Sequence, residues 1–262
     1  MVRGILNTVP TGLLVVAVVC LSFGGVVLAV WLIRRYVPAT REEFNSEIVA
    51  AMLGVLAAFF GLLLAFVVVI QFQNHDDARA NVETEADALA AIVRDNQALG
   101  APEADRVRGA VATYVRAVVQ DEWPRLRAAG QESPRAAAAL DSLYETLQGI
   151  EPRTFRARAF YDDSVRQLNI ALDARRNRLA DGQGGLPAEV AALIIVGAVA
   201  ILSYATLVGS RSFWFHAIGA GLIAVLISFS LVVLLGLSYP YSGGLEIEPT
   251  PLQEGVLAEF TR

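Results

Sequence analysis

One short segment of this sequence brings together several carboxylates and a histidine. These are the residues best suited to bind a metal ion or to take part in catalysis. The segment contains His75, Asp76, Asp77, Glu83, Glu85 and Asp87. Oxygen ligands of this kind could bind a hard cation. On a helix, however, Glu83 and Asp87 share a face while Glu85 points elsewhere, and no glycine-turned loop gathers them. We favour a solvated helix face, with a membrane-proximal acidic ring in an oligomer or a cation site as alternatives. We expect no metal and no cofactor.

Histidine is scarce, and common catalytic motifs are absent. His75 and His216 lie far apart, and the sequence has no H-E-x-x-H, P-loop, G-x-S-x-G or C-x-x-C pattern. His216 begins a hydrophobic segment, where an ionisable group is a functional candidate. Its position near the predicted membrane boundary favours simple contact with water. We therefore predict that the protein is not an enzyme.

The composition is typical of a membrane protein. Hydrophobic residues make up 55% of the 262 residues, which is high for a soluble domain that must cover itself with polar surface. The net charge is −5 and no concentrated basic face is visible, which argues against nucleic acid as a partner. All basic residues are arginine, a bias that indicates a GC-rich bacterial genome. Cys20 is the only cysteine, so an intrachain disulfide is impossible.

Four long uncharged stretches must position any functional residue. Since roughly 20 apolar residues cross a bilayer as a helix, the pattern predicts an all-α protein with four transmembrane helices in a 2+2 arrangement. They are predicted at Pro10–Ile33, Ile48–Phe72, Ala188–Val208 and Phe213–Leu237. The chain then divides into transmembrane helices 1 and 2 at 1–73, a helical extramembrane domain at 74–186, transmembrane helices 3 and 4 at 187–239, and a C-terminal tail at 240–262.

Topology follows from the number of crossings. Four crossings put both termini and the insert on the same side of the bilayer. The arginine residues near the membrane ends favour an orientation with the termini and the insert on the cytoplasmic side of a bacterial inner membrane.

The insert reads as a set of helices separated by glycine and proline. Glycine favours the position after a helix and proline the first turn of the next. Four such joints occur, at Gly100/Pro102, Gly130/Pro134, Gly149/Pro152 and Gly185/Pro187. Ser133 has the type and place of an N-cap. Each segment between joints carries one apolar stripe at helical spacing, and the first segment looks continuous with predicted helix 2.

Small residues recur four apart in predicted helices 2 and 4. Such rows permit close backbone approach between helices in lipid. The rows are Ala50/Gly54/Ala58, Ala57/Gly61/Ala65 and Ala220/Ala224/Ser228. We expect helix 2 to pack tightly on protein.

Several short motifs resemble the bacterial bestrophin-like (DUF4239) family. They are the residues 64–69 with Phe72, the run 82–89, Tyr114 with Asp121-Glu122-Trp123, and the segment 237–243 with Pro240 and Gly243. The resemblance covers most of the chain and implies the same four helices and helical insert. The chain departs from the family pattern at Ser238 and Tyr239, where a charged Asp-Arg pair is common, so an ion pair made there by relatives is in doubt.

The resemblance also implies a function, because bestrophins are pentameric anion channels. Their second transmembrane helix lines a hydrophobic neck, and their insert is cytosolic. If predicted helix 2 is aligned with that neck-lining helix, Phe66, Leu62 and Ala58 would face the pore. Phe59 and Phe60 are the alternatives if the register is shifted. Arg34, Arg35 and Arg41 could make one mouth attractive to anions.

Two hypotheses follow for the function. The first is a homo-oligomeric channel for inorganic anions, pentameric by analogy, with helix 2 around the axis. The second is a membrane-anchored scaffold or sensor whose insert binds a partner or ligand. The two hypotheses differ in one expectation. In a channel, Leu62 and Phe66 lie on the central axis of a ring of subunits, whereas in a sensor they pack against helices 1, 3 or 4.

Overall fold

A computed structural model of the protein describes residues 2–36, 46–207 and 212–261. Within these ranges the chain forms nine α-helices: α1 Val2–Thr8, α2 Thr11–Tyr36, α3 Ser46–Asp95, α4 Ala101–Ala117, α5 Trp123–Ala129, α6 Pro134–Gln148, α7 Phe155–Gln183, α8 Ala188–Leu207 and α9 Phe213–Leu237. A π-helical turn joins α4 to α5 at Val118–Glu122. Short 3₁₀ turns follow at Asn96–Leu99, Thr250–Gln253 and Gly255–Phe260.

The predicted all-α class is confirmed for the described residues. Four helical stretches among them are long and apolar enough to cross a membrane, and they lie within 12–36, 50–99, 155–207 and 213–237. The four predicted transmembrane helices correspond to α2, the first part of α3, α8 and α9. Helix α3 is continuous from Ser46 to Asp95, so the first insert helix does extend predicted helix 2.

The chain divides into two compact units. The membrane unit consists of Val9–Gln73 and Gly185–Ser238. The insert unit consists of Asn74–Gly184 together with the residues up to Thr8 and from Tyr239 onward.

In the membrane unit, α9 packs closely on α2. Ala220 and Ala224 are buried in a cluster with Val26 and Val30 of α2. One turn further along α9, the Ser228 hydroxyl donates to the Ser22 hydroxyl at 2.6 Å. The small-residue row of predicted helix 4 therefore lies where α9 packs closely on α2, as predicted, because small side chains let the two backbones approach.

The small-residue rows of α3 behave differently. Gly54 and Gly61 have no heavy atom outside their own helix within 4 Å of an added β-carbon. Ala57, Gly61 and Ala65 instead line an apolar groove of about 550 Å³ between α3 and α9. Tight packing of these rows on protein is therefore not found within a single chain.

In the insert unit, the predicted joints end and begin helices. Gly130 follows α5 in the left-handed conformation, with φ +66°, where glycine avoids the steric cost of a β-carbon. The Ser133 hydroxyl accepts hydrogen bonds from the backbone N–H groups of Arg135 and Ala136, both at 3.1 Å, which confirms the predicted N-cap of α6. The Thr154 hydroxyl caps α7 in the same way, accepting from the Ala157 N–H at 3.0 Å.

The core of the insert unit includes residues that follow the last helix. Leu89, Val111 and Leu143 are fully buried together with apolar residues of the C-terminal segment. The buried members of that segment are Tyr241, Ile247, Leu252, Leu257 and Phe260. Residues 239–261 thus fold as part of this unit.

Candidate functional site

Much of α3 is exposed along its membrane-spanning part, including the stripe predicted for a neck. Leu62 and Phe66 have 59% and 62% of their surface exposed, and Ala58 one turn earlier is exposed as well. A helix turns about 100° per residue, so positions four apart form one stripe. The three residues predicted for a neck therefore share a face that the membrane unit leaves uncovered.

The two alternative phenylalanines lie on different sides of α3. Phe59 is 76% exposed. Phe60 is half-buried, and its ring packs on Gly197 of α8, where an added β-carbon would lie 2.6 Å from Phe60 Cδ2. Because Phe60 fills the space over a glycine of the same chain, it is positioned as a packing residue of the membrane unit.

The arginines predicted at one mouth fall at the end of α2. Arg34 and Arg35 occupy its last turn. The Arg34 guanidinium lies 5.8 Å from the centre of the Phe213 ring, and Arg35 is exposed. Arg41 lies outside the described residues.

The C-terminal motif forms a turn in the insert unit. The Pro240 carbonyl accepts from the Ile247 N–H at 2.7 Å. Gly243 has φ +87°, and its N–H donates to Asn7 Oδ1 at 3.0 Å. The Tyr239 ring lies 5.1 Å from the Arg3 guanidinium. At Tyr239 this chain therefore provides an aromatic partner for an arginine.

Sequence reasoning missed a group of buried charges in the insert unit. We call it the Arg178 cluster, and it consists of Glu85, Tyr114, Glu122, Arg175 and Arg178. They come from α3, α4, the π-helical turn and α7. Glu85, Tyr114, Glu122 and Arg178 are fully buried, and Arg175 is 8% exposed. Four elements of the unit therefore meet at one set of polar side chains.

Arg178 lies at the centre of the cluster. Its Nε donates to Glu85 Oε2 at 2.7 Å and its Nη2 to Glu85 Oε1 at 3.1 Å, a paired geometry. Nη2 also donates to Glu122 Oε1 at 2.9 Å. The guanidinium lies 5.2 Å from the centre of the Trp123 ring, close enough for a cation–π contact.

Each carboxylate is held from a second side. Arg175 donates to both oxygens of Glu122, at 3.2 and 2.6 Å, and the Ser133 N–H donates to Glu122 Oε2 at 3.1 Å. The Tyr114 hydroxyl donates to Glu85 Oε1. Two carboxylates thus balance two guanidiniums, and every carboxylate oxygen accepts a hydrogen bond.

The charges of the cluster shift the pKa values of its members. Burial alone raises the pKa of the Glu122 carboxyl, but the hydrogen bond from Arg175 and the charges of Arg178 and Arg175 outweigh it, so this pKa lies below its usual value. Burial and the neighbouring Glu85 charge raise the pKa of the Tyr114 hydroxyl well above its usual value. Glu122 therefore stays ionised and Tyr114 stays protonated at neutral pH, an arrangement suited to structure.

A signal for this cluster was present in the sequence. Glu85 falls on the apolar stripe of its helix, three residues after Val82 and four before Leu89. Arg175 and Arg178 fall on the stripe of α7 in the same way, seven and ten residues after Leu168. A charged residue on an apolar stripe predicts a buried partner of opposite charge.

The acidic segment of α3 divides as its helical spacing predicts. Glu83 and Asp87 are exposed, whereas Glu85 is buried. His75 Nε2 lies 2.8 Å from the Leu245 carbonyl oxygen. No group of three metal-ligating side chains occurs among the described residues.

The prediction that His216 contacts water is wrong for the described structure. His216 is buried, and its Nε2 lies 2.9 Å from the Ala205 carbonyl oxygen. Helices α8 and α9 are adjacent, so the ring reaches back to α8 instead of to solvent.

Four apolar helices and a helical insert define an all-α membrane protein. The chain belongs to the Bestrophin-like family, whose domain matches residues 20–252. The predicted family membership is therefore confirmed.

The fold resembles two solved structures. One is a variant of a bacterial bestrophin homologue from Klebsiella pneumoniae, with a TM-score of 0.70 and 10% identity over 94% of this chain and 97% of that chain. The second is a protein described as a membrane protein, with a TM-score of 0.70 and 10% identity over 94% of this chain and 96% of that chain. At this identity the likeness concerns the fold alone. No protein with a curated description matches the chain in sequence.

Proposed function

We propose that the protein is a subunit of a homo-oligomeric ion channel that conducts inorganic anions such as chloride. The observation that carries the proposal is the exposed stripe of Ala58, Leu62 and Phe66 on α3. In a ring of subunits this stripe would line the axis. A ring of apolar side chains can gate a pore by dewetting, and conduction needs no catalytic residue.

Three further points support the arrangement. Phe60 is already engaged with Gly197 of its own subunit, whereas Leu62 and Phe66 are exposed and available to an axis, as is Phe59. Arg34 and Arg35 bring positive charge to the end of α2, which would favour anions at one mouth. A pentamer in the bacterial inner membrane, with the insert in the cytoplasm, is the assembly implied by the resemblance to bestrophins.

The first test is the mass of the purified protein in detergent. We expect a ring of several subunits, and a monomer would exclude a central pore. The second test is chloride flux from proteoliposomes. Phe66→Ala and Leu62→Ala would widen the neck and make it less apolar, so both should raise the flux. Phe229→Ala is the matched control, because Phe229 is an exposed phenylalanine on α9.

The register of the neck can be tested in the same assay. If Phe59→Ala raises the flux and Phe66→Ala does not, the stripe is rotated toward Phe59. If an intact oligomer gives no flux in the wild type or in any variant, the channel proposal is wrong.

A specific feature of the insert unit favours the second hypothesis, a membrane-anchored scaffold or sensor. Two neighbouring grooves of about 400 and 410 Å³ lie between α3 and the C-terminal segment, and both are lined by Glu83 and Pro251. Further carboxylates on their walls are Asp87, Glu246, Glu248 and Glu254, and the carboxylates outnumber the lining arginines Arg79 and Arg94. Such walls suit a basic partner. Absence of flux combined with specific binding of a basic protein to the grooves would support this function.

A further inference from the structure

Arg3 attaches helix α1 to the other helices of the insert unit. Arg3 Nη1 donates to the Leu126 carbonyl oxygen at 2.8 Å, near the end of α5. Arg3 Nη2 donates to the carbonyl oxygens of Gly182 and Gln183 at 2.5 and 2.6 Å, at the end of α7. One guanidinium therefore bridges the C-terminal ends of two helices.

The ends of α5 and α7 are suited to a cation. The last carbonyl groups of an α-helix carry the negative end of its dipole. The Leu126 oxygen accepts from the Gly130 N–H at 2.9 Å and, with its second lone pair, from Arg3. Positive groups are therefore stabilised there. A planar guanidinium with several N–H groups in fixed directions can satisfy carbonyls from two helices at once, which an ammonium does less well.

Two glycines let these ends come close enough to share one ligand. At Gly130, an added β-carbon would lie 2.4 Å from the Gly182 oxygen and 2.6 Å from Arg3 Nη2. At Gly182, it would lie 2.4 Å from Leu126 Cδ2. A side chain at Gly130 would push the helix ends apart or displace the guanidinium, and one at Gly182 would displace the Leu126 side chain.

The remaining contacts of Arg3 fit a bound cation. The Tyr239 ring lies 5.1 Å from the guanidinium, within the range of a cation–π contact. Partial burial lowers the pKa of Arg3, and the Tyr239 hydroxyl opposes this shift. Among the described residues, no carboxylate forms an ion pair with Arg3. Carbonyl oxygens and an aromatic ring thus bind this charge.

Asn7 extends the attachment one turn further along α1. Its Nδ2 donates to the Arg127 carbonyl oxygen at 2.9 Å, and its Oδ1 accepts from the Gly243 N–H at 3.0 Å. Helix α1 thereby connects the end of α5 to the C-terminal turn at Tyr239–Gly243.

We propose that the carbonyl groups at the ends of α5 and α7 form a guanidinium-binding site whose ligand is the chain's own Arg3. Arg3 acts with Asn7 to hold α1 against the ends of α5 and α7 and beside the turn Tyr239–Gly243, which Tyr241 and Ser242 also anchor. An alkylguanidinium or guanidinium ion is the chemical class that the site takes when Arg3 is absent. This site is independent of the proposed channel function.

Hydrogen–deuterium exchange on the full chain in detergent tests the site. Arg3→Ala removes hydrogen bonds from a charged donor, each with a net contribution large enough to change an equilibrium by ~10-fold or more. We expect exchange at residues 2–8 and 239–243 to rise by at least ~10-fold, while the core of α4 keeps its protection. Arg3→Lys should give an intermediate rise. Arg176→Ala, at an exposed arginine of α7, should leave both segments unchanged.

Chemical rescue makes the test specific for the guanidinium group. Millimolar guanidinium chloride should restore protection in Arg3→Ala, whereas urea, a neutral planar molecule of the same shape, should not. The proposal is wrong if Arg3→Ala leaves the exchange unchanged, if urea rescues as well as guanidinium, or if neither compound rescues.

Discussion

The two units of this protein hold their helices together in different ways. In the membrane unit, α2 and α9 meet through small residues and a serine pair, Ser22 with Ser228. In the insert unit, four elements meet around the charges of the Arg178 cluster. The first kind of contact depends on shape, and the second on charge and hydrogen-bond geometry.

Exposure and burial of a side chain have different physical causes in the two units. In lipid the hydrophobic effect does not drive helices together, so close packing decides which faces meet. In water, apolar burial drives packing, and a charge enters the core only with partners. A buried glutamate in the insert unit therefore indicates a charged partner. In the membrane unit, an exposed apolar stripe indicates a functional surface only where a neighbouring alternative, such as Phe60, is already packed.

The largest expected effect comes from breaking the charge balance of the insert unit. Arg178→Met leaves Glu85 buried without its arginine, and removal of one partner from a buried ion pair costs about 3–5 kcal/mol. We expect the free energy of unfolding of the insert unit to fall by that amount, measured by denaturant or thermal unfolding in detergent. Arg176→Met is the matched control, because Arg176 is exposed on the same helix, and it should change stability by less than about 0.5 kcal/mol.

A double variant sharpens this result. Glu85→Leu combined with Arg178→Met removes both charges and leaves Glu122 paired with Arg175. We expect the double variant to recover part of the lost stability, since apolar replacement of a whole buried pair is often neutral. Equal stability of Arg178→Met and Arg176→Met would contradict a central role for the cluster.

The hydroxyl of Tyr114 is the next contribution to test. Tyr114→Phe removes a hydrogen bond to the Glu85 carboxylate, and hydrogen bonds to charged groups contribute about 1.5–3 kcal/mol. The unfolding temperature of the insert unit should fall accordingly. Tyr144→Phe removes an exposed hydroxyl on α6 and should leave it unchanged. If the two variants unfold alike, Tyr114 contributes by packing alone.

Shape should dominate in the membrane unit. Gly221→Ala would place a β-carbon 2.4 Å from Phe23 Cε2, and overpacking of this kind costs about 1–3 kcal/mol. Gly219→Ala, two residues earlier on α9, meets no heavy atom outside its own helix within 4 Å. Thermal unfolding in detergent should therefore separate the two substitutions. A neutral result for Gly221→Ala would mean that α2 and α9 tolerate separation.

Lowering the pH should gradually reduce the stability of the insert unit, through Glu122. Its pKa is lower in the folded protein than in the unfolded chain, so its contribution to stability is present above about pH 4.3 and is lost as the pH falls through the folded pKa. Between pH 5 and pH 3, the unfolding temperature should therefore drop more steeply for the wild type than for Glu122→Gln. Glu145→Gln, at an exposed glutamate, should follow the wild type. Parallel curves for Glu122→Gln would show that another group carries the acid sensitivity.

Much of the fold could be predicted because it depends on local sequence. Uncharged length predicted the four membrane helices, and the glycine and proline joints predicted where α5, α6 and α7 begin or end. The π-helical turn at Val118–Glu122 was not predictable, because no residue type requires it. It adds a residue to the turn, and Glu122 within it is fully buried against Arg175.

The candidate site was predictable only in part. Helical spacing alone places Ala58, Leu62 and Phe66 on one stripe, but sequence could not decide between Phe60 and its neighbours, since that depends on Gly197, more than a hundred residues away. Their lining of a pore stays a prediction.

The helices, their ends and the membrane character of this protein can be read from the sequence, because they follow from apolar length and from backbone preferences within a few residues. Which charges pair and what holds α1 are known only from the folded chain. Glu85 and Arg178 are 93 positions apart, and Arg3 and Gly182 are 179 apart. Which of these residues pair depends on how whole helices pack, and the local sequence around each residue does not specify its partner.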